Sequence, residues 1–235
     1  MDDKRSTFDS EPTGATAIRG VALDLDGLLY DTEPLYWQVG QQLLMRRGHH
    51  FTDQLQRQMM GRPGVQAMQV LIDALHLPDS PTALLEESES LYAGILETGL
   101  QPMPGLQHLQ QRLLARRLPF GVATSSRRRF ADLILQRDGL ADRLSFLITG
   151  DDVNRGKPDP EIYLMAAAQL GILTHQMLVL EDSENGCAAA LAAGAVTVAI
   201  PGQHSSDHDF TGVHLVATSL RDPRLYELLG FLPHA

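Results

Sequence analysis

The stretch VALDLDGLLYDTE, residues 21–33, places four carboxylates directly behind an apolar run, at Asp24, Asp26, Asp31 and Glu33. Carboxylates this close repel one another, so something must hold them ionised or use them. In a strand, side chains two residues apart point to the same side, which would bring Asp24 and Asp26 together at its end. Such a pair can bind a hard cation or carry out acid–base and nucleophilic chemistry. The alternative is an ordinary turn in which an aspartate caps a helix.

Three more groups of reactive side chains follow apolar runs later in the chain. Hydroxyl residues at 124–126 precede arginines at 127–129, a pattern that alone is more typical of a helix cap with a solvated basic turn. In isolation, Lys157 would be a solvated lysine, and Glu181 with Asp182 would be a surface turn. Together with the aspartate pair, these groups supply carboxylates for Mg²⁺, and hydroxyls and an ammonium for phosphate oxygens. The combination predicts a site for a metal ion and a phosphate group.

The elements that would position these groups can be read from the apolar pattern. Short apolar runs alternate with helical stretches, which predicts an α/β fold with a doubly wound parallel sheet. Ligands bind such sheets at the carboxyl ends of the strands, where all four groups lie. The predicted strands are IRGVALDL, PFGVAT, LSFLIT, MLVLE, AVTVAI and VHLVAT, and the predicted helices cover residues 106–117, 128–137, 160–170 and 186–193.

The alternation breaks once, between residues 34 and 101. This segment contains only helical patterns, such as VQAMQVLIDALHL, and predicts a small all-helical cap domain inserted after the first strand. TEPL and QPMPG are its predicted hinges, because proline and glycine punctuate domain boundaries. The core domain is then expected to comprise residues 18–33 and 102–235. Residues 1–17 are polar, with no apolar stretch of signal-peptide length, and are expected to be a disordered leader.

The composition limits the classes of partner. A formal net charge of −10 argues against a nucleic-acid polymer or an anionic membrane surface, whereas a small phosphorylated metabolite needs only a few local donors. No apolar run approaches the ~18 residues of a membrane span. Cys187 is the only cysteine, so an internal disulfide is impossible and a cytoplasmic location is expected. We expect a monomer that binds a small phosphorylated metabolite.

The order of the four groups, D-x-D-G, strand–T/S, G-K-P-x-P and E-D-S-x-x-G, resembles the haloacid dehalogenase superfamily of phosphohydrolases. Within it, the chain is similar to the branch with a small helical cap after the first strand, which includes β-phosphoglucomutase and sugar-phosphate phosphatases. The resemblance extends over residues 18–218. It implies a Mg²⁺-dependent hydrolase of small phosphate monoesters, such as sugar phosphates or nucleoside monophosphates, with an aspartyl-phosphate intermediate.

The resemblance also implies a role for each motif residue. Asp24 would be the nucleophile and Asp26 the general acid and base, whose presence favours phosphoryl transfer over dehalogenation. Thr124, the amide of Ser125 and Lys157 would bind the phosphate group. The implied metal ligands are Asp24, Asp26 (through its backbone carbonyl), Glu181 and Asp182.

Alternative functions and substrate contacts remain open at this stage. A sugar-phosphate mutase like β-phosphoglucomutase is disfavoured because TEPLYW lacks the His present there, and a catalytically idle binding module would have lost a motif residue. Candidate substrate contacts are Arg62, Arg127 and Glu33, although Glu33 could instead cap the first inserted helix. Tyr36 and Trp37 are expected in the core of the insert, with substrate contact as the alternative.

Overall fold

The computed structural model describes residues 17–231 except 60, 61, 63, 138 and 204. The predicted disordered leader therefore lies almost entirely outside the described residues. The strands are β1 (Gly20–Leu23), β2 (Tyr30–Asp31), β3 (Gln101–Pro102), β4 (Phe120–Ala123), β5 (Leu147–Ile148), β6 (Met177–Glu181), β7 (Val196–Ala199) and β8 (Leu215–Val216). The helices are α1 (Glu33–Met45), α2 (Asp53–Met59), α3 (Gly64–Leu75), α4 (Pro81–Gly99), α5 (Leu106–Ala115), α6 (Arg128–Arg137), α7 (Glu161–Leu170), α8 (Glu184–Ala192) and α9 (Pro223–Leu228).

The main sheet has six parallel strands in the order β5–β4–β1–β6–β7–β8. Successive side chains alternate between its faces: Val21 and Leu23 join the apolar cluster formed with α5, α6 and α9, whereas Ala22 joins the one formed with α7 and α8. Helices therefore cover both faces of the sheet. The predicted doubly wound α/β fold is confirmed.

Between β2 and β3 the chain forms the four helices α1–α4, here called the helical insert. Both α1 and α3 pack on α4, and α2 packs on α3. Their contacts include an apolar cluster of their own, with Leu44, Phe51, Met68, Leu71 and Leu84 buried. The insert coincides closely with the helical segment expected at residues 34–101, and its status as a separate domain stays a prediction. Among the described residues, no helix is both long and apolar enough to cross a membrane.

Local differences from the sequence expectations concern short elements and helix starts. The antiparallel pair β2–β3 lies at the predicted hinges and was not expected, because two residues per strand are too few to show alternation. Helix α8 begins at Glu184 rather than at residue 186, since Ser183 Oγ caps it by accepting from the amide of Gly186 at 3.1 Å. Helix α7 begins at Glu161 rather than at residue 160, and Asp159, two residues before it, accepts from the amide of Glu161 at 3.0 Å.

Candidate active site

Three neighbouring strand ends bring the groups singled out in the sequence to one edge of the sheet. β1 leads into Asp24, β4 leads into Thr124, and β6 ends at Glu181. Ladder-like hydrogen bonds continue past the strands, because the amides of Asp24 and Thr124 donate to the carbonyls of Leu180 and Ile148, each at 3.0 Å. The chain leaves β1 towards β4 on one side and returns to β6 on the other. This edge is therefore the topological switch point, where open α/β sheets bind ligands.

Lys157 connects all three of these strand ends. Its ammonium donates to Asp24 Oδ1 at 2.5 Å, to Glu181 Oε1 at 2.6 Å and to the carbonyl of Ala123 at 3.0 Å. These three acceptors account for all three ammonium protons. The Lys157 side chain is only 5% exposed, and those of Asp24 and Glu181 are 8% and 0% exposed. Lys157 is thus a buried cation held in place by two carboxylates.

The carboxylate of Glu181 is saturated by donors from this chain. Besides Lys157, Oε1 accepts from the hydroxyl of Tyr163 at 2.6 Å. Oε2 accepts from the amides of Asp182 and Ser183 at 3.1 and 3.3 Å, and from Ser183 Oγ at 3.0 Å. Five donors fix one buried carboxylate, so its evident structural role is to position Lys157.

Asp26 differs from Asp24 in its surroundings. Its Oδ2 accepts from Ser126 Oγ at 2.7 Å and from Thr124 Oγ1 at 3.3 Å. Its Oδ1 is buried and has no hydrogen-bond partner among the described residues. The hydroxyls therefore orient this carboxylate and leave one oxygen available to a proton. Because β1 ends at Leu23, the turn that follows places Asp26, and the strand period invoked from the sequence does not extend that far.

Three of the four predicted metal ligands contribute to a carboxylate cluster. Oxygens of Asp24, Glu181 and Asp182 lie within 4.8 Å of one another. Mg²⁺ prefers oxygen ligands, so Asp24 and Asp182 fit the ion that the resemblance implies, whereas the donors to Glu181 leave its carboxylate no lone pair for a metal. The carboxylate of Asp26 is not part of the cluster, because the hydroxyl groups beside β4 hold it. The role implied for its backbone carbonyl stays a prediction.

Burial controls the protonation of the cluster. It raises the pKa of Asp24 to about 7, an effect that the ammonium of Lys157 opposes. Burial and the charge of Asp24 raise the pKa of Asp182 to about 9. Burial would lower the pKa of Lys157, but the charges of Asp24 and Glu181 outweigh it and hold that pKa well above its usual value. The lysine is a fixed positive charge, whereas the carboxylates gain from a further cation.

Two glycines make this crowding possible. Gly27 has a φ of +78°, and a Cβ there would collide with the carboxylate of Asp182. At Gly186, in the first turn of α8, a Cβ would overlap the carboxylate of Glu181. A side chain at either position would displace a cluster carboxylate, so both glycines are needed for the geometry.

A cavity of about 560 Å³ joins this edge of the sheet to the helical insert. Such a volume is typical of small-molecule sites. Charged and hydroxyl groups line it near the sheet, and helix side chains line it from the insert. On the sheet side these are Asp24, Asp26, Thr124, Ser125, Ser126, Arg127, Lys157, Asp182 and Ser183, and the polar and aromatic groups of the insert are Glu33, Tyr36, Phe51, Gln56, Arg62, Ser88, Glu89 and Tyr92.

The three candidate substrate contacts all line this cavity. Glu33 is the first residue of α1, next to the N-cap residue Thr32, and its carboxylate accepts from Gln56 Nε2 at 3.4 Å. Arg62 is exposed and donates through Nε to the carbonyl of Gln58. Arg127 is paired with an acidic residue of α4.

The expectation that Tyr36 packs in the insert core is wrong. Its side chain is 42% exposed, lines the cavity and stacks on Tyr92 with ring centroids 4.6 Å apart. Trp37 does pack inside the insert, edge-on to Phe51 at 5.2 Å. Helix α1 turns the two neighbouring aromatic rings in different directions, and the sequence did not indicate which of them faces the sheet.

Glu89 and Tyr92 were missed by the sequence interpretation. Both lie on the face of α4 that lines the cavity, together with Leu85 and Ser88. Their spacing, i, i+3, i+4 and i+7, is that of one helix face and is the signal that could have found them. Burial and the nearby charge of Asp26 raise the pKa of Tyr92 far above its usual value, so its hydroxyl stays protonated.

Comparison with known proteins identifies the family. The sequence profile described as haloacid dehalogenase-like hydrolase matches residues 21–200. A phosphorylated carbohydrates phosphatase of Thermotoga maritima is 33% identical over 75% of this chain and 82% of its own, and (DL)-glycerol-3-phosphatase 2 of Arabidopsis thaliana is 34% identical over 82% and 85%. The crystal structure of a haloacid dehalogenase family hydrolase from Deinococcus radiodurans R1, with bound phosphate and sodium, is 29% identical, covers 94% of this chain and 100% of its own, and has a TM-score of 0.74.

The chain belongs to the haloacid dehalogenase-like hydrolase family. The matched span includes the aspartates after β1, the hydroxyl residues after β4, Lys157 and the acidic pair at the end of β6. The predicted family and the predicted hydrolytic class of enzyme are therefore confirmed, and the two relatives are named as phosphatases.

Proposed function

We propose that this protein is a Mg²⁺-dependent phosphatase of small phosphate monoesters that acts through an aspartyl phosphate on Asp24. The observation that carries the proposal is the pairing of Asp24 with the buried ammonium of Lys157, at the end of a cavity where Asp26 presents an unpartnered oxygen. A nucleophile, a fixed cation and a proton carrier are the groups that phosphoryl transfer needs.

The two aspartates divide the chemistry. Asp24 attacks phosphorus, the bond from phosphorus to the ester oxygen breaks, and Asp26 gives its proton to the departing alcohol. A water molecule then attacks the phosphorus of the aspartyl phosphate, and Asp26 takes a proton from this water. The step releases phosphate and regenerates Asp24. Ser126 and Thr124 keep Asp26 oriented through both steps.

The other polar groups bind the charge of the transferring group. Lys157, Thr124 and the amide of Ser125 bind the phosphate oxygens, and Glu181 holds Lys157 in position. Asp24 and Asp182 would hold Mg²⁺, which would neutralise phosphate charge when bound, whereas the five donors to Glu181 leave that carboxylate no lone pair for the ion. The insert lines the side of the cavity opposite the sheet edge and limits the access of water and of large substrates.

The substrate class follows from the cavity and from the relatives. A cavity of about 560 Å³ between the sheet edge and the insert suits small metabolites better than folded phosphoproteins. The two relatives are named for phosphorylated carbohydrates and glycerol 3-phosphate, which supports a polyol or sugar phosphate as substrate.

The test is release of phosphate from p-nitrophenyl phosphate by the purified protein. We expect turnover with Mg²⁺, loss of turnover with EDTA and recovery when Mg²⁺ is restored. A panel of sugar, polyol and nucleoside monophosphates then ranks the substrates. Full activity in EDTA would refute the metal requirement, and isomerisation of a hexose phosphate without phosphate release would identify a mutase instead.

A further inference from the structure

Arg127 lies at the wall of the cavity beside the phosphate-binding hydroxyls, yet its charge is already engaged. Arg127 directly precedes α6, and its carbonyl accepts from the amide of Ala131 in that helix at 3.1 Å. Its side chain reaches across to the insert, where Nη1 pairs with Glu89 Oε1 at 2.9 Å. Arg129 pairs with the other oxygen of the same carboxylate. One glutamate of α4 is therefore shared by two arginines of the sheet domain, and the three side chains together keep a net charge of +1.

Glu89 is placed to do this reliably. Its side chain is only 12% exposed, whereas those of Arg127 and Arg129 are 50% and 53% exposed. Arg129 donates a hydrogen bond to this carboxylate, and Arg127 forms an ion pair with it. Because the carboxylate is largely shielded from solvent, these pairs are less screened than fully exposed ones. In the structure both guanidinium groups lie against Glu89 of α4.

Among the described residues that line the cavity, the other cations are Lys157 and Arg62. Lys157 is engaged by Asp24 and Glu181, and Arg62 is an exposed residue that precedes α3 on the insert. A second anionic group on a substrate would have to displace Glu89 from Arg127 before it could bind this guanidinium, next to the hydroxyls that follow β4. A competing carboxylate of this kind lets a site reject a ligand that carries the wrong charge.

We propose that Glu89 is a specificity-determining residue, which occupies Arg127 and thereby selects phosphate esters whose remaining part is uncharged. The inference rests on the proposed phosphatase function and deepens it. Removal of the Glu89 charge would release Arg127 to bind a carboxylate or a second phosphate on the substrate. Selectivity would then shift towards dianionic and bisphosphorylated esters, without a change in the groups that perform the chemistry.

Glycerol 3-phosphate and 3-phosphoglycerate form a matched pair of probes, since the second replaces a terminal hydroxymethyl group by a carboxylate. We expect the wild-type protein to favour glycerol 3-phosphate in kcat/KM. Glu89→Gln should raise kcat/KM for 3-phosphoglycerate relative to glycerol 3-phosphate by about 10- to 100-fold, the effect of one hydrogen bond to a charged group. Glu89→Ser serves as a second variant if the glutamine variant does not fold.

Two controls separate selectivity from a loosened insert. Glu86→Gln removes a charge from an exposed position of the same helix and should leave the ratio unchanged. Adding Arg127→Gln to Glu89→Gln should cancel the gain, because the released arginine is the proposed contact. An unchanged ratio in Glu89→Gln, or a gain that persists in the double variant, would overturn the proposal.

Failure of the proposed function has a different signature. A wild-type protein that releases no phosphate from p-nitrophenyl phosphate refutes the phosphatase assignment alone. Calorimetric titration with the same two probes then measures the ratio of dissociation constants in the wild type and in Glu89→Gln. The same 10- to 100-fold shift in that ratio is expected, and its absence overturns the role of Glu89.

Discussion

Replacement of Lys157 by methionine tests how the buried charges are held together. The ammonium donates to two carboxylates and one carbonyl, and its side chain is 5% exposed. Methionine keeps much of the volume and removes the charge, which leaves Asp24 and Glu181 facing each other without a cation. Removal of one partner from a buried ion pair costs about 3–5 kcal/mol, a large part of the 5–15 kcal/mol that stabilises an ordinary domain.

The assay is urea unfolding at neutral pH with EDTA present, so that no metal ion compensates for the lost lysine. Circular dichroism follows the whole fold, and the fluorescence of Trp37, the only tryptophan, reports on the insert. We expect Lys157→Met to lower the free energy of unfolding by about 3–5 kcal/mol. Adding Glu181→Gln should restore part of this loss, because it removes one of the two unpaired charges and can keep the contact with Tyr163.

Two results would refute this reasoning. A loss below about 1 kcal/mol in the single variant would be that of an exposed ion pair and would mean that Lys157 is solvated in solution. A double variant at least as unstable as the single one would mean that the uncompensated charge of Glu181 is not the source of the instability.

With p-nitrophenyl phosphate, Asp26→Asn should give a stoichiometric burst of nitrophenolate and a steady-state rate lowered by about 10²–10⁴-fold. Asp24→Asn should give neither burst nor turnover. Equal loss of the burst and of the steady-state rate in the two variants would contradict the division of roles. Arg47→Met should lower the free energy of unfolding of the insert by about 1–3 kcal/mol in a tryptophan-fluorescence urea titration, because Arg47 makes partly buried bonds to two carboxylates; no change would show that these bonds are solvated. Hydrogen bonding to Arg224 lowers the pKa of Asp222, so its stabilisation is present above the unfolded-state pKa of about 4 and is lost as the pH falls through the lower folded value. Asp222→Asn should therefore flatten the decline in unfolding free energy below about pH 4, and parallel curves for the two proteins would exclude this contribution.

The fold class and the meeting of the motif residues could be predicted from the amino-acid pattern. Alternating strands and helices leave few topologies, and a doubly wound parallel sheet brings its strand ends to one edge. Asp24, Thr124 and Glu181 each follow or end a buried strand, so their proximity follows from the fold alone. Lys157 was identified from its motif rather than from a strand, and the structure places its ammonium between the carboxylates of Asp24 and Glu181.

The division of labour among the charged groups depended on tertiary contacts. Glu181 and Asp182 are adjacent and chemically alike, but five donors saturate the first. Asp24 and Asp26 likewise look equivalent in the chain, and they differ because one faces Lys157 and the other faces hydroxyl groups. Local spacing cannot reveal these partners, since most of them come from elements more than a dozen residues away.

The cavity wall formed by the insert shows the same limit most clearly. The pattern of the segment predicted helices, because apolar periodicity is a local property of the chain. Whether Tyr36 or Trp37 faces the sheet, and whether Glu89 meets solvent or Arg127, depends on how the insert is rotated against the core. That rotation is set where the insert meets the core, by the packing of α4 on α6 and by contacts between residues about 40 positions apart, such as Arg129 and Glu89. Short stretches of sequence thus determine where helices form, while the chemistry of the cavity depends on the packing of segments that are distant in sequence.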